Sequence, residues 1–154
     1  MKQFQVFEME YTGEAFPAND MTMLPFSPDD SAQYIRICNA CFYEMRRALD
    51  IRPYSVYSDP RQIIEKQDRI FLLKHREIII GSVVCGGTEI DDLIVNPAYQ
   101  NMGCGAKILR WAVNHIRADT DEPITLHVAA WNQKALQMYL KHGFVIRSQE
   151  IITG

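Results

Sequence analysis

The stretch from residue 89 to residue 117 constrains this chain most, because a strand, a glycine-bearing loop and a helix follow one another there. Glu89–Val95 is predicted as a strand that Pro97 ends, since proline cannot donate to a ladder. Residues 104–117 carry apolar side chains at helical spacing. The first N–H groups of a helix lack internal partners, and glycines at 103 and 105 leave the backbone open there. The segment therefore predicts a bound anion, and we expect a pyrophosphate.

The spacing of the glycines excludes two common phosphate-binding loops. A dinucleotide-binding fingerprint needs a third glycine that this loop lacks, and a P-loop needs a Gly-Lys-Ser/Thr run that is also absent. What stands is Gln100-x-x-Gly103-x-Gly105. On its own, such a glycine pair marks a simple turn about as often as a binding loop.

The other elements predict an α+β fold with α/β/α layers and a mixed, largely antiparallel central sheet. In chain order they are strands at 4–11 and 21–25, a helix starting at 27–30, a short helix at 59–67, a hairpin of 69–74 and 77–85, a strand at 124–130, a helix at 132–142 and a strand at 144–152. No linker or repeat divides them, so we expect a single domain over 1–154.

Composition excludes several classes of protein. The chain has 154 residues, 47% of them hydrophobic, and a formal net charge of −3, which excludes a disordered chain. The weak acidity argues against a nucleic-acid partner. The N-terminus is acidic where a signal peptide would be apolar, and no apolar run is long enough for a membrane span. With four cysteines, too few for a disulfide scaffold, we expect a cytoplasmic protein without a membrane partner.

Two blocks of residues together resemble the GCN5-related N-acetyltransferases (GNAT family). The first is the family's V-x-P followed by Q/R-x-x-G-x-G/A, matched by Val95, Pro97, Gln100, Gly103 and Gly105. The second is a strand Val, an Asn and A-x-x-x-Y-x-x-x-G-F, matched in order by Val128, Asn132, Ala135, Tyr139, Gly143 and Phe144. In element order the resemblance runs from about residue 21 to the C-terminus, and its motifs lie within 93–144.

The resemblance implies a GNAT-like fold and an acetyl-CoA-dependent N-acetyltransferase without a metal. The acetyl group would pass to a primary amine by direct attack, and the acceptor would be a small-molecule or peptide amine. An alternative of the same fold is a non-catalytic acyl-CoA-binding sensor or regulatory module. A different class of protein, using the same loop for ATP or NAD, is a further alternative.

Two departures from the family pattern concern the sheet. Family members usually have a strand after the Gly-Phe strand, whereas this sequence stops at Gly154. The strand at 4–11 precedes the first strand expected from the family. We therefore predict that residues 4–11 fill the missing edge, either within one chain or from a partner, so a homodimer stays open.

The cofactor-binding residues follow from the loop and from the resemblance. Backbone N–H groups of the loop would bind the pyrophosphate, and they belong to Gln100, Asn101, Met102, Gly103, Cys104, Gly105 and Ala106. By resemblance, the pantetheine arm would pair with the strand, placing the N–H of Ile94 or Val95 near the thioester oxygen. Asn132 resembles the family residue that bonds the arm, but it is an equally good helix N-cap.

Tyr139 and Glu89 are the predicted catalytic residues. Spacing alone favours a core tyrosine at 139, but the motif makes Tyr139 resemble the family acid that protonates the departing thiolate; a phenol is protonated at neutral pH. Glu89 lies eleven residues before Gln100, like the glutamate of the histone-acetylating branch. Asp91, Asp92 and His127 remain alternative bases, and ordinary surface acids explain the three carboxylates about equally well.

The remaining candidates have weaker signals. Cys38-x-x-Cys41 has no second metal pair, so a buried core position is preferred over zinc. Lys107 and Arg110 favour a solvated helix face, although they could meet CoA phosphates. Arg52, Tyr54 and Tyr57 lie in a loop that helps to line the acceptor site in this family.

Overall fold

The computed structural model describes residues 2–18 and 21–153, which form one seven-stranded sheet with helices on both faces. The strands are β1 (Phe4–Tyr11), β2 (Leu24–Pro25), β3 (Ile70–His75), β4 (Ile78–Gly86), β5 (Glu89–Val95), β6 (Ile124–Ala129) and β7 (Val145–Ile152). The α-helices are α1 (Ser31–Ala48), α2 (Cys104–Arg117) and α3 (Gln133–Lys141). Short 3-10 helices cover Pro28–Asp30, Pro60–Gln62, Ile64–Arg69 and Pro97–Tyr99.

The sheet is mixed and largely antiparallel, with the order β2-β3-β4-β5-β6-β1-β7. Only the β5–β6 pair is parallel among the described strands. The predicted α+β layout with a largely antiparallel sheet is confirmed. Within the described part of the chain, no helix has both the length and the apolar character needed to span a membrane.

Two apolar clusters define the three layers. The larger one joins α2 and α3 to the sheet, and the predicted stripe of α2 is fully buried in it: Ile108, Leu109, Ala112, Val113 and Ile116. The smaller one packs α1 against β3, β4 and β5 through Tyr34, Ile37 and Cys38. No described residue of β1, β6 or β7 belongs to the smaller cluster, so α1 covers only half of its face of the sheet.

The N-terminal strand occupies an interior position. β1 pairs antiparallel with β6 on one side and with β7 on the other, within one chain. The expectation that residues 4–11 would fill an edge is therefore wrong in position: β7 is the edge strand. The physical reason is burial, because Met9 is 0% exposed and Tyr11 7% exposed beneath the helical layer, which an edge strand would not achieve.

Two other predicted elements are shorter than expected. The strand expected at 21–25 is only Leu24–Pro25, because Met21 and Met23 pack into the larger cluster instead. The helix expected at 59–67 consists of two 3-10 helices, and Asp59 caps the first by accepting a hydrogen bond from the Arg61 N–H.

Candidate active site

A gap between β5 and β6 positions the candidate site. The two strands share one bridge, Glu89 with Thr125, whereas β5 pairs with β4 as far as Val95. The N–H of Asn96 donates to the Ile80 carbonyl on β4 at 2.8 Å. Because successive residues of a strand point their backbone groups to alternate sides, Ile94 faces β4 and Val95 faces the gap. Of the two predicted backbone donors, only Val95 is directed toward the gap.

The carbonyl of Val95 already has two donors in the gap. The Gln100 Nε2 donates to it at 3.0 Å and the Cys41 Sγ at 3.1 Å. The first contact folds the loop back onto the strand, and the second ties α1 to it. Any ligand that pairs with Val95 would meet these two side chains.

The loop between β5 and α2 has the backbone that its sequence implies. Asn101 and Gly103 adopt positive φ values of 66° and 82°, which Asn and Gly tolerate better than other residues. Gly103 precedes α2, and the Lys107 N–H donates to its carbonyl as the helix begins. The loop therefore turns the N-terminus of α2 toward the gap.

A cavity of about 560 Å³ joins the loop, the gap and one face of α3. It is lined by Cys41, Leu93, Val95, Tyr99, Gln100, Asn101, Gly103, Cys104, Gly105, Ala106, Trp131, Asn132, Lys134, Ala135, Gln137, Met138, Tyr139, Lys141 and His142. Its size is typical of a small-molecule or cofactor site. The structure thus brings together most of the residues predicted from the two motifs.

The charge of the cavity suits an anion. Among the described residues its lining contains Lys134 and Lys141 but no carboxylate, although the whole chain carries a net charge of −3. The Lys134 Nζ contacts the Asn101 Oδ1 beside the N-terminus of α2. Positive side chains and free helix N–H groups at one place favour a phosphate-bearing ligand.

His142 and Arg110 hold the far end of the cavity. The His142 Nδ1 lies 2.8 Å from the Met138 carbonyl, so it carries the proton, and its Nε2 accepts from Arg110 at 3.1 Å. The ring thus bridges α2 and α3. Arg110 therefore has a structural partner, whereas Lys107 is exposed on the helix surface.

Asn132 fills one of the two roles weighed from sequence, the helix N-cap, and its bond to the pantetheine arm stays a prediction. Its side-chain oxygen accepts from the Ala135 N–H at 3.2 Å, which makes it the N-cap of α3. The same side chain lines the cavity. Its amide nitrogen makes no hydrogen bond within residues 2–18 and 21–153, so it is free to bond a ligand.

Tyr139 lies at the inner end of the cavity. It is 8% exposed and packs against Phe144 with ring centroids 6.0 Å apart. Burial raises the pKa of its phenol to about 12, with the charges of Asp91 and Asp92 adding to the effect. The phenol therefore keeps its proton at neutral pH and can act as an acid.

The three carboxylates of β5 have different surroundings. Asp92, with φ 43° at an irregular step of the β4–β5 ladder, pairs with Lys66 at 2.9 Å. The Asp91 side chain reaches solvent, but partial burial raises its pKa, and the Asp92 charge raises it further. Glu89 is exposed at the start of β5, about 20 Å along the strand from Val95 at the usual rise per residue.

Several predicted residues lie outside the cavity. Glu89, Ile94 and Met102 do not line it; Met102 is 66% exposed and could contribute only its backbone. His127 lies 3.4 Å from the Glu8 carboxylate on the open face of β6. Three residues of the loop after α1 are also elsewhere: Arg52 pairs with Asp50, Tyr54 packs on Tyr43, and Tyr57 is buried under Lys66.

Sequence reasoning missed several lining residues. Cys41 was assigned to the core of α1, but its thiol reaches the Val95 carbonyl, a contact that no local pattern signals. Cys38 is in the core, where burial raises its thiol pKa to about 12. Lys134, Met138 and Lys141 share one face of α3 at spacings of four and three, so helical periodicity around Asn132 and Tyr139 could have found them.

Comparisons with known proteins give one family. The sequence profile of the acetyltransferase (GNAT) family matches residues 36–144. No curated protein sequence matches the chain significantly. A GNAT-family structure from Novosphingobium aromaticivorans superposes with a TM-score of 0.73 at 15% identity. That superposition covers 98% of this chain and 63% of the other, so the present chain spans less than two thirds of that protein.

Two similar structures contain a bound cofactor. One is yncA of Salmonella typhimurium with its cofactor acetyl-CoA, at TM-score 0.64 and 14% identity, covering 84% of this chain and 82% of that one. The other is the PaiA N-acetyltransferase of Thermoplasma acidophilum with coenzyme A, at TM-score 0.65 and 15% identity, covering 84% and 92%. At these identities the likeness shows a shared fold.

Proposed function

This chain belongs to the GNAT acetyltransferase family, and from that premise we propose that it transfers the acetyl group of acetyl-CoA to a primary amine. The observation that carries the proposal is the single cavity that joins the N-terminus of α2 to Val95 and Tyr139. One ligand with an anionic end and an acyl end would contact both. The acetyl-CoA and coenzyme A of the two similar structures support the same ligand class.

The cavity fits coenzyme A on the chemistry of its residues. The loop from Gln100 to Ala106 offers backbone N–H groups to a pyrophosphate, and the absence of carboxylates avoids repulsion. A Cβ at Gly105 would lie 3.5–3.9 Å from Met138, Val95 and Leu93, so the protein itself tolerates a side chain there. Because those three residues line the cavity, a Cβ at Gly105 would narrow it where the ligand is expected to lie.

The reaction needs an activated acetyl group, which acetyl-CoA supplies as a thioester. We assign Asp91 as the group that takes the proton from the acceptor ammonium, because it lies two residues nearer than Glu89 to Val95 along β5 and its raised pKa makes it a better base than an ordinary aspartate. The neutral amine nitrogen would then form the new C–N bond while the C–S bond breaks, and the nitrogen would release its surplus proton to solvent. Tyr139 would give its proton to the sulfur and regain one from solvent, and the Val95 N–H would stabilise the carbonyl oxygen.

Glu89, the base predicted from spacing, is the alternative to Asp91. Glu89 is supported by its match to the glutamate of the histone-acetylating branch. Its position at the far end of β5 from Val95 argues against it. The charge of Glu89 raises the pKa of Asp91, so the two carboxylates act on each other. Substituting each one separately distinguishes them.

We further propose that the acceptor is cationic and approaches on the face that α1 leaves open. Glu89, Thr125 and Glu10 form one row across β5, β6 and β1, because both carboxylates are register partners of Thr125. Glu8 lies one row away beside His127. Glu10 is already paired with Arg147 and Glu8 lies beside His127, so Glu89 is the carboxylate of this row that would attract an ammonium group. The free thiols of all four cysteines fit a reducing cytoplasm as the place of reaction.

The test is thiol release from acetyl-CoA over a panel of amines: polyamines, amino acid amides, and peptides with a free α-amine or lysine. We expect release that depends on one class of amine and that falls strongly in Tyr139→Phe. Binding of acetyl-CoA without release over the whole panel would support a non-catalytic acyl-CoA sensor. Stabilisation by ATP or NAD greater than by CoA would overturn the ligand assignment.

A further inference from the structure

The two edges of the sheet differ in how they meet solvent. β2, at one edge, has two residues and ends in Pro25, which blocks further pairing. β7, at the other edge, has eight residues, seven of them exposed, and contains neither Pro nor Lys. Its Val145 and Ile151 are each 59% exposed. A long edge with unpaired backbone groups is a template for another strand.

The sequence of β7 is complementary to itself in the antiparallel direction. The strand reads Val-Ile-Arg-Ser-Gln-Glu-Ile-Ile. Counted inward from either end, it has two apolar residues, then a charged residue, then a polar one. Placed against a reversed copy, Val145 meets Ile152 and Ile146 meets Ile151. The two charged positions, Arg147 and Glu150, carry opposite signs, so each would meet the other.

The register with β1 gives the face of the sheet on which each apolar residue lies. Ile146 and Ile151 oppose Met9 and Gln5 and so share the face of α2 and α3. Val145 and Ile152 oppose Glu10 and Phe4 and share the other face. Opposed residues of an antiparallel ladder lie on one face. Both apolar pairs satisfy that condition, so each would bury its members against a like side chain.

A bulge makes the centre of the strand fit a two-fold axis. The β1–β7 ladder steps from Ser148 to Ile146, which leaves Arg147 as an extra residue. In an antiparallel pair of identical strands, one residue must face its own copy. With the bulge, Gln149 faces Gln149 of the second copy. Arg147 and Ser148, as the two residues of the bulge, then lie together opposite Glu150 of the second copy.

Only one of the two charged side chains of β7 has an ion-pair partner among the described residues of the chain. Arg147 contacts Glu10, whereas Glu150 has no hydrogen-bond or ion-pair partner among residues 2–18 and 21–153. A two-fold arrangement would place Arg147 of each copy beside Glu150 of the other. The same contact would occur twice, as an isologous interface requires.

We propose that β7 is a homodimer interface, where a second copy of this chain adds its own β7 edge to edge about a two-fold axis beside Gln149. The two seven-stranded sheets then form one continuous sheet. β1 separates this edge from β6 and the cavity, so the interface stands apart from the proposed chemistry.

Charge substitutions test the pairing through the mass of the particle in solution, measured by light scattering and sedimentation. We expect a dimer of the 17.8 kDa chain for the unchanged protein, and monomers for Arg147→Glu and for Glu150→Arg. In each variant, like charges would face each other twice. An equimolar mixture of the two variants should form a heterodimer, because every acidic position then meets a basic one. Glu44→Arg, on exposed α1, makes the same charge change away from β7 and should stay dimeric.

Three results would overturn the proposal: a monomeric unchanged protein across the concentration range, single variants that remain dimeric, or a mixture that stays monomeric. Because Arg147→Glu sets a second carboxylate beside Glu10, its folding is checked by thermal unfolding. Ile151→Lys, at an exposed position, is a second variant that should be monomeric without loss of stability. A dimeric Ile151→Lys would point to another surface.

Discussion

The side-chain amide of Gln100 donates to the backbone carbonyl of Val95 over 3.0 Å, which folds the loop onto the strand it follows. Val95 is also the residue whose backbone faces the gap between β5 and β6. If the pantetheine arm pairs with this strand, its amide must replace the Gln100 amide at the same oxygen. The hydrogen bond that holds the loop against β5 is therefore one that the proposed ligand would replace.

Gln100→Ala should lower the stability of the ligand-free protein by about 1 kcal/mol, the usual net contribution of one hydrogen bond. The substitution keeps the backbone N–H of residue 100 that is proposed to bind the pyrophosphate. Because the ligand no longer displaces an internal donor, CoA should bind about fivefold tighter, by the same free energy. Chemical unfolding and calorimetric titration measure the two quantities. Weaker CoA binding in this variant would show that the Gln100 contact prepares the loop for its ligand.

Tyr139→Phe should lower kcat by about 10²- to 10⁴-fold, the range typical of a lost proton donor. The affinity for acetyl-CoA should change little, since the ring and its packing on Phe144 are kept. Rapid-mixing kinetics and equilibrium binding separate the two effects. Tyr99→Phe, which removes a phenol from the same cavity, is the matched control and should retain turnover. Equal turnover in both variants would remove Tyr139 from the mechanism.

Asp91→Asn should lower kcat/KM by about 10²-fold or more while raising the melting temperature at pH 7. The reason is the raised pKa of Asp91 in the folded protein. The unfolded chain releases this proton at an ordinary aspartate pKa, so stability falls as pH rises from that value through the raised one. Below the ordinary pKa both states are protonated, and the gain should vanish. Melting curves and pH–rate profiles record both effects.

Glu89→Gln is the control for that experiment, because it removes an exposed carboxylate from the same strand. We expect only a small loss of turnover, with the acidic limb of the pH–rate profile moved to lower pH, since the Glu89 charge helps to raise the pKa of Asp91. A large loss with Glu89→Gln and a small one with Asp91→Asn would reverse the assignment.

The two loop glycines should respond differently to alanine. Gly103→Ala should cost about 1 kcal/mol of stability, because a φ of 82° is unfavourable for a residue with a Cβ. Gly105→Ala should raise stability by about 0.5 kcal/mol, since the helix gains a better former and the Cβ meets only ordinary contacts. Its CoA affinity should nevertheless fall. Unchanged affinity would mean that the ligand does not approach Gly105.

Met9→Ala should cost about 2–5 kcal/mol, as is usual for truncating a fully buried side chain. Met9 lies on the inner face of β1, between β6 and β7. Glu8→Gln, the neighbouring position on the opposite face, should cost much less. Denaturant unfolding compares the two. A small effect of Met9→Ala would mean that β1 contributes little to the core despite its interior place.

The local elements around the cavity were predictable from the sequence because their signals are short-range. The five apolar positions of α2, the start of that helix at Cys104 and the glycine at 103 follow from helical periodicity and from the need for a positive φ. The N-cap role of Asn132 and its place in the cavity lining followed from its position before α3 and from the family motif. The resemblance that named the family also rests on these local spacings.

The tertiary structure decided what depends on pairing between distant segments. Periodicity cannot say which strands are neighbours, so the interior position of β1 and the exposed edge of β7 were not predictable. It cannot say which backbone groups of β5 face the gap, and so it left Ile94 and Val95 equivalent. Nor could spacing bring the Cys41 thiol to the Val95 carbonyl. The sequence determines which chemical groups a residue carries. Its distance to a partner from a distant segment is set only by the pairing of the strands in the folded sheet.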